Sequence, residues 1–118
     1  MEKDKLKRIL EGLIEQSEKK TLYWEQTANA NTFLTSLQGS AATITYKNLA
    51  GLQFIVLEFR DENGEVFVSE TLRKYDELWN KATEAYNLAR NIALKTDEKN
   101  AKIDNILRQL EGGKTAAK

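Results

Sequence analysis

The 118-residue sequence contains no cysteine, no histidine and no proline, and each absence removes a class of structure or chemistry. Without cysteine, the chain has no disulfide, no thiolate nucleophile and no thiolate-ligated metal. Without histidine, it lacks the commonest general base and the commonest transition-metal ligand of proteins. Without proline, no X–Pro isomerisation can slow its folding. We therefore expect a protein that is not an enzyme, with no catalytic residues, no metal site and no cofactor.

Charge of one sign is not in excess either, because eighteen basic and eighteen acidic side chains cancel. No net field therefore draws the chain to nucleic acid or to an anionic membrane. Residues 21–71 carry two basic side chains against six acidic ones, whereas a single-strand binder needs a basic groove. The first twenty residues mix charges in every turn, which leaves no apolar run for a signal peptide or membrane span. We expect a cytoplasmic protein that binds neither nucleic acid nor membrane.

Residues 4–20 have the pattern of an amphipathic helix with charged side chains on its other faces. The apolar residues that follow helical spacing are Leu6, Ile9, Leu10, Leu13 and Ile14. Gly12 lies among them, although a helical glycine costs about 1 kcal/mol relative to alanine. Either it is a tolerated glycine on a surface helix, which we favour, or it allows another backbone to approach closely.

The middle of the chain is rich in β-branched and aromatic residues and predicts five strands. Their predicted ranges are 21–27, 32–38, 41–47, 53–60 and 65–70. Every connection is too short for a crossover helix, so consecutive strands must be antiparallel neighbours in a meander. The last two strands meet at Asn63-Gly64, a strong hairpin signal. A two-residue loop there sets Phe59 opposite Val68, and a three-residue loop sets it opposite Phe67.

The fourth strand is apolar on both faces of its pleat, because Phe54 and Val56 alternate with Ile55, Leu57 and Phe59. A strand with one solvated face would alternate more cleanly between apolar and polar residues. We therefore expect both faces of the sheet to need at least partial cover, which a partner subunit could provide.

The last third of the chain predicts two helices. A long one runs from about 71 to 95, with Thr71 or Ser69 as its cap. Its heptad-spaced stripe contains Leu72, Tyr75, Trp79, Ala82, Tyr86, Ala89 and Ala93, and a second stripe contains Leu78, Ala85, Leu88 and Ile92. These stripes are wider than one sheet contact requires, so part of the helix is expected to face another element or another subunit.

A short helix is expected over 97–111, because Thr96 can cap it and two carboxylates follow. Its narrow apolar seam consists of Ile103, Ile106, Leu107 and Leu110. Gly112-Gly113 is expected to end it. The predicted fold is thus α+β: a single domain over 1–111, in which a helix, a five-stranded antiparallel meander and two C-terminal helices pack together, with a flexible C-terminal tail over 112–118.

Five residues are candidates for binding a ligand or partner: Trp24, Tyr46, Arg60, Arg73 and Arg90. Aromatic rings combine a large contact area with a polar group, and arginine offers paired donors to carboxylate or phosphate. If Trp24 or Tyr46 faces the long helix beside one of these arginines, a pocket for a nucleotide or another planar anion would form. Trp79 and Tyr86 lie on the heptad-spaced stripe, so we expect them in the core.

The remaining routes to catalysis are weak. Glu58 interrupts an apolar strand, and burial would raise its pKa towards the range of a general acid or base. A solvent-facing position near the sheet edge is the simpler interpretation. Residues 61–65 resemble a calcium loop only superficially, because upstream ligand positions and flanking helices are missing, and a plain turn explains them.

We therefore expect a non-catalytic protein-interaction module, of the adaptor, inhibitor or immunity type, that acts as a homodimer with a further protein partner. The reason is surplus apolar surface on the fourth strand and the long helix. The alternative is a small-ligand-binding protein that captures a nucleotide-like anion through its aromatic and arginine residues.

Overall fold

The computed structural model describes the backbone of residues 1–116 and the side chains of residues 1–112. In chain order the elements are α1 (Lys3–Glu18), β1 (Trp24–Gln26), β2 (Thr32–Leu37), β3 (Ser40–Leu49), β4 (Leu52–Arg60), β5 (Val66–Arg73), α2 (Trp79–Ala93) and α3 (Thr96–Ala116). The five strands form one antiparallel sheet in the order β1-β2-β3-β4-β5. The α+β fold predicted from the sequence, with its meander and flanking helices, is confirmed.

The core lies between one face of the sheet and the helices α1 and α2. Alternate strand residues point to this inner face, because side chains in a strand alternate between the two sides. The fully buried large side chains there include Phe33, Ile44, Ile55 and Leu57, together with Leu10 of α1. Helix α2 contacts all five strands and α1. Its buried face is built largely of alanines, which allow a helix to lie close to its neighbours.

The outer face of the sheet, opposite α1 and α2, carries no helix among the described residues. Its side chains cover one another instead. The hydroxyls of Thr32 and Thr45 share a hydrogen bond of 2.8 Å, and the Arg73 guanidinium carbon lies 6.0 Å from the centre of the Phe54 ring. Phe54 and Val56 are half-buried as a result. The partial cover expected for this face thus comes largely from residues on the same face.

The hairpin between β4 and β5 has the register expected for the shorter loop, with Phe59 opposite Val68. A bulge follows at once, so Arg60 pairs with Val66 rather than with Phe67. Asp61 closes the turn, since its carboxylate accepts the backbone N–H groups of Asn63 (2.9 Å) and Glu65 (3.0 Å). Gly64 has a φ of 81°, which glycine adopts without strain.

The predicted start of the long helix at Thr71 is wrong, because β5 continues to Arg73 and α2 begins at Trp79. Leu72 is buried as an inner-face strand residue opposite Ile55, not as part of a helical stripe. The β5 strand ends where the Asp76 carboxylate accepts the backbone N–H of Arg73 at 2.7 Å. Tyr75, which the stripe placed on the helix, lies in this turn and is 94% exposed.

The break between the two C-terminal helices lies where the sequence predicted it. Lys95 has a left-handed φ of 54°, and α3 begins at Thr96. The prediction that Gly112-Gly113 ends the last helix is wrong, since α3 continues to Ala116. Residues 117–118 of the predicted tail lie outside the described residues, and the flexibility expected for 112–118 stays a prediction.

Candidate binding surfaces

A cleft of about 380 Å³ lies between α2 and the inner face of β3 and β4, and we call it the Tyr46–Arg90 cleft. Its lining residues are Asn31, Tyr46, Gln53, Ile55, Trp79, Thr83, Tyr86, Asn87 and Arg90. The five from α2 occupy positions 79, 83, 86, 87 and 90, and this helical spacing places them along one side of the helix. From the sheet, Tyr46 and Ile55 are direct cross-strand partners in the antiparallel ladder.

Two tyrosines form the inner wall of this cleft. The ring centres of Tyr46 and Tyr86 are 5.8 Å apart and tilted by 44°. Tyr86 also contacts Phe33 of the core, at 5.7 Å between ring centres, so the wall is continuous with the packed interior. Burial raises the pKa of the Tyr86 phenol, and the neighbouring charge of Arg90 partly offsets this increase. Tyr86 and Arg90 are four residues apart on α2, so the guanidinium lies on the side of the helix that carries the aromatic wall.

The five binding candidates from the sequence occupy three different places. Tyr46 and Arg90 both line the cleft. The nucleotide-pocket hypothesis required one such pair, an aromatic residue beside an arginine. Trp24 lies in the core, 3% exposed, where its indole N–H donates to Ser17 Oγ at 2.9 Å. Arg60 and Arg73 lie on the outer face.

The two outer-face arginines are engaged locally. Arg60 donates to the backbone oxygen of Gly64 at 3.1 Å and to Glu58 at 3.4 Å. Glu58 is half-buried there, and its other carboxylate oxygen accepts from the Ser69 hydroxyl at 3.5 Å. Glu58 thus takes part in surface contacts of the β4–β5 hairpin.

The sequence interpretation missed most of the cleft. Trp79 and Tyr86 were expected in the core. The structure buries Tyr86 and leaves Trp79 half-buried, and both line the cleft. The helical spacing of Trp79, Tyr86 and Arg90 was a usable signal for a shared face. Gln53 and Asn31 gave no such signal, because only the strand register brings them near α2.

The apolar seam of α3 forms the second candidate surface. Its four residues are all exposed: Ile103 at 54%, Ile106 at 53%, Leu107 at 49% and Leu110 at 63%. Among the described elements, α3 contacts α2 alone. By contrast, the second stripe of α2 is covered within the chain, since α1 packs against α2 and both Leu78 and Ala85 are buried.

Within residues 1–116, no helix is long and apolar enough to span a membrane. Comparison of the chain with protein-family models, with curated proteins and with solved structures finds no match. The candidate surfaces must therefore be interpreted from their own geometry and chemistry.

Proposed function

We propose that this protein is a non-catalytic interaction module that pairs with a second copy of itself through the α3 seam. The observation that supports it is the exposure of four large aliphatic side chains on a helix that extends beyond the packed domain. Such side chains are ordinarily buried, and a contiguous exposed set marks a surface for association.

The shape of the seam favours a helix as its occupant. Its residues follow spacing of three and four, a narrow stripe typical of helix pairing rather than of packing on a sheet. A second α3 provides the same stripe. In an antiparallel pair centred between Ile106 and Leu107, these two residues face each other across the axis, and Ile103 faces Leu110. The surface is therefore self-complementary, as a twofold interface requires.

The helix dipole distinguishes the two orientations of such a pair. An antiparallel pair opposes the two helix dipoles, whereas a parallel pair aligns them. The antiparallel arrangement is therefore the one we propose.

The test is the molar mass in solution by light scattering or sedimentation, over concentrations up to about 0.5 mM, where even a weak dimer is populated. Leu107→Glu places a charge in the seam, and Asn105→Glu adds the same charge outside it. Circular dichroism checks that both variants fold.

We expect a dimer fraction that rises with concentration in the wild type and in Asn105→Glu, and a single-chain mass for Leu107→Glu. A wild-type protein that stays monomeric over the whole range would refute the homodimer. Dimerisation that survives Leu107→Glu unchanged would show that the seam is not the interface.

A further inference from the structure

Among the residues whose side chains the structure describes, Arg90 is the only charged one that lines the Tyr46–Arg90 cleft. Within the part of the chain that the structure describes, its guanidinium makes no ion pair and no hydrogen bond. None of the described lining residues carries a carboxylate that could compete for it. An arginine in this situation keeps all its donors for an anion, and a planar anion can use two of them at once.

The rest of the lining is suited to a flat ring with polar edges. Tyr46 and Trp79 are half-buried and offer aromatic surface against which a planar group can stack, whereas Tyr86 is buried behind them. The side-chain amides of Asn31, Gln53 and Asn87 also make no hydrogen bond to any described residue. Each amide carries both donors and an acceptor, so together they can match the edge of a heteroaromatic base better than that of a plain hydrocarbon ring.

We propose that this cleft binds a nucleoside monophosphate, with its base between the aromatic wall and the amides and its phosphate at Arg90. The volume of about 380 Å³ is at the lower end of the range for small-molecule sites, which favours a mononucleotide over a dinucleotide. A single cationic group, with no glycine-rich loop to surround further phosphates, favours one phosphate over three. This binding is independent of the proposed pairing through α3, which uses a different helix.

The proposal is tested by titration calorimetry with adenosine 5′-monophosphate, with adenosine and inorganic phosphate as partial ligands. Arg90→Gln removes the charge but keeps a polar side chain. Arg73→Gln makes the same change on the outer face and serves as the matched control. Tyr46→Leu removes one ring of the wall, and circular dichroism verifies that each variant is folded.

We expect the monophosphate to bind to the wild type and to Arg73→Gln equally, and at least about tenfold more weakly to Arg90→Gln, because a charge-assisted hydrogen bond is lost. Adenosine should bind more weakly than the monophosphate and be insensitive to Arg90→Gln. Tyr46→Leu should weaken both ligands.

Three results would overturn the proposal. The first is no binding of the monophosphate at about 1 mM, which is the weak limit for a specific ligand. The second is equal affinity in Arg90→Gln and the wild type, and the third is inorganic phosphate binding as tightly as the monophosphate. The last result would mean that the aromatic wall takes no part. Because the readout is affinity rather than mass, a failed dimer test would leave this result interpretable.

Discussion

The hydrogen bond between Trp24 and Ser17 is expected to hold the short strand β1 against α1. Strand β1 has only three residues, and the Trp24 indole N–H donates to Ser17 Oγ at 2.9 Å. Both residues are 3% exposed, so neither group can turn to water when its partner is removed. Replacing one partner alone therefore leaves a buried polar group unsatisfied.

The magnitudes follow from that burial. Ser17→Ala leaves the indole N–H without an acceptor and should lower the free energy of unfolding by about 1–3 kcal/mol. Trp24→Phe removes the donor together with part of a buried ring, for a loss of about 2–3 kcal/mol. The double variant has no unpaired donor. Its loss should therefore be smaller than the sum of the single losses by about 0.5–1.5 kcal/mol.

Urea unfolding, followed by far-ultraviolet circular dichroism, measures all four members of this cycle. The control is Ser36→Ala, which makes the same change at an exposed serine of β2 and should alter stability by less than about 0.5 kcal/mol. Losses that add to within about 0.3 kcal/mol in the double variant would refute the coupling. A neutral Ser17→Ala would also refute it, since the buried donor would then have found another partner.

Three further predictions concern single positions. Gly12→Ala should raise the free energy of unfolding by about 0.5–1 kcal/mol, because the added methyl group meets no atom within 4 Å; a loss of stability in urea unfolding would contradict this. Ala50→Asn should stabilise the β3–β4 turn by up to about 1 kcal/mol, because φ at Ala50 is 53° and asparagine tolerates this left-handed conformation better than alanine. Gly51→Ala is the opposing control and should destabilise the turn, because φ at Gly51 is 87°. The raised pKa of Tyr86 means that the folded state disfavours its phenolate, so stability should fall as pH rises above the ordinary tyrosine pKa towards the higher value in the folded protein. Tyr86→Phe should reduce that alkaline loss, and an identical pH dependence in urea unfolding would count against the burial argument.

The sheet was predictable because its signals are local. Alternating apolar residues, short connections and the Asn63-Gly64 turn each restrict the chain over a few residues, and together they allow only a meander. The register of the last hairpin was left open between Val68 and Phe67 as the partner of Phe59, and the structure selects Val68. The bulge at Arg60 was not predictable, because it depends on how the Asp61 carboxylate closes the turn.

The boundary between β5 and α2 shows where a pattern misleads. Leu72 and Trp79 are seven residues apart, which matched the heptad spacing of the following helix. Leu72 also shares the inner face of a strand with Val68 and Glu70, because residues two apart in a strand lie on the same side. Pairing with β4 shows that the strand is the correct assignment. Sequence spacing cannot choose between two periods that share residues, whereas the sheet contact can.

The cleft was only partly predictable for a related reason. The hypothesis placed Trp24 or Tyr46 beside one of three arginines, and Tyr46 and Arg90 do line the same cavity. Which aromatic met which arginine depended on strand register and on the rotation of α2 about its axis. A one-residue shift in strand register would have replaced Tyr46 by a residue of the outer face.

The homodimer hypothesis now depends on a surface other than the two that motivated it, which were the fourth strand and the long helix. The extra stripe on α2 is covered by α1, and the outer face is partly covered by its own side chains, whereas the four seam residues of α3 are each 49–63% exposed. Burying the exposed half of eight aliphatic side chains in a pair contributes roughly 8 kcal/mol, at about 1 kcal/mol each. Association itself costs about 4–15 kcal/mol, so a pair held by this seam alone should be weak and concentration-dependent. A dimer that persists at nanomolar concentration would therefore require a larger interface, and the half-buried outer face around Phe54 and Val56 is where we would expect the additional contact.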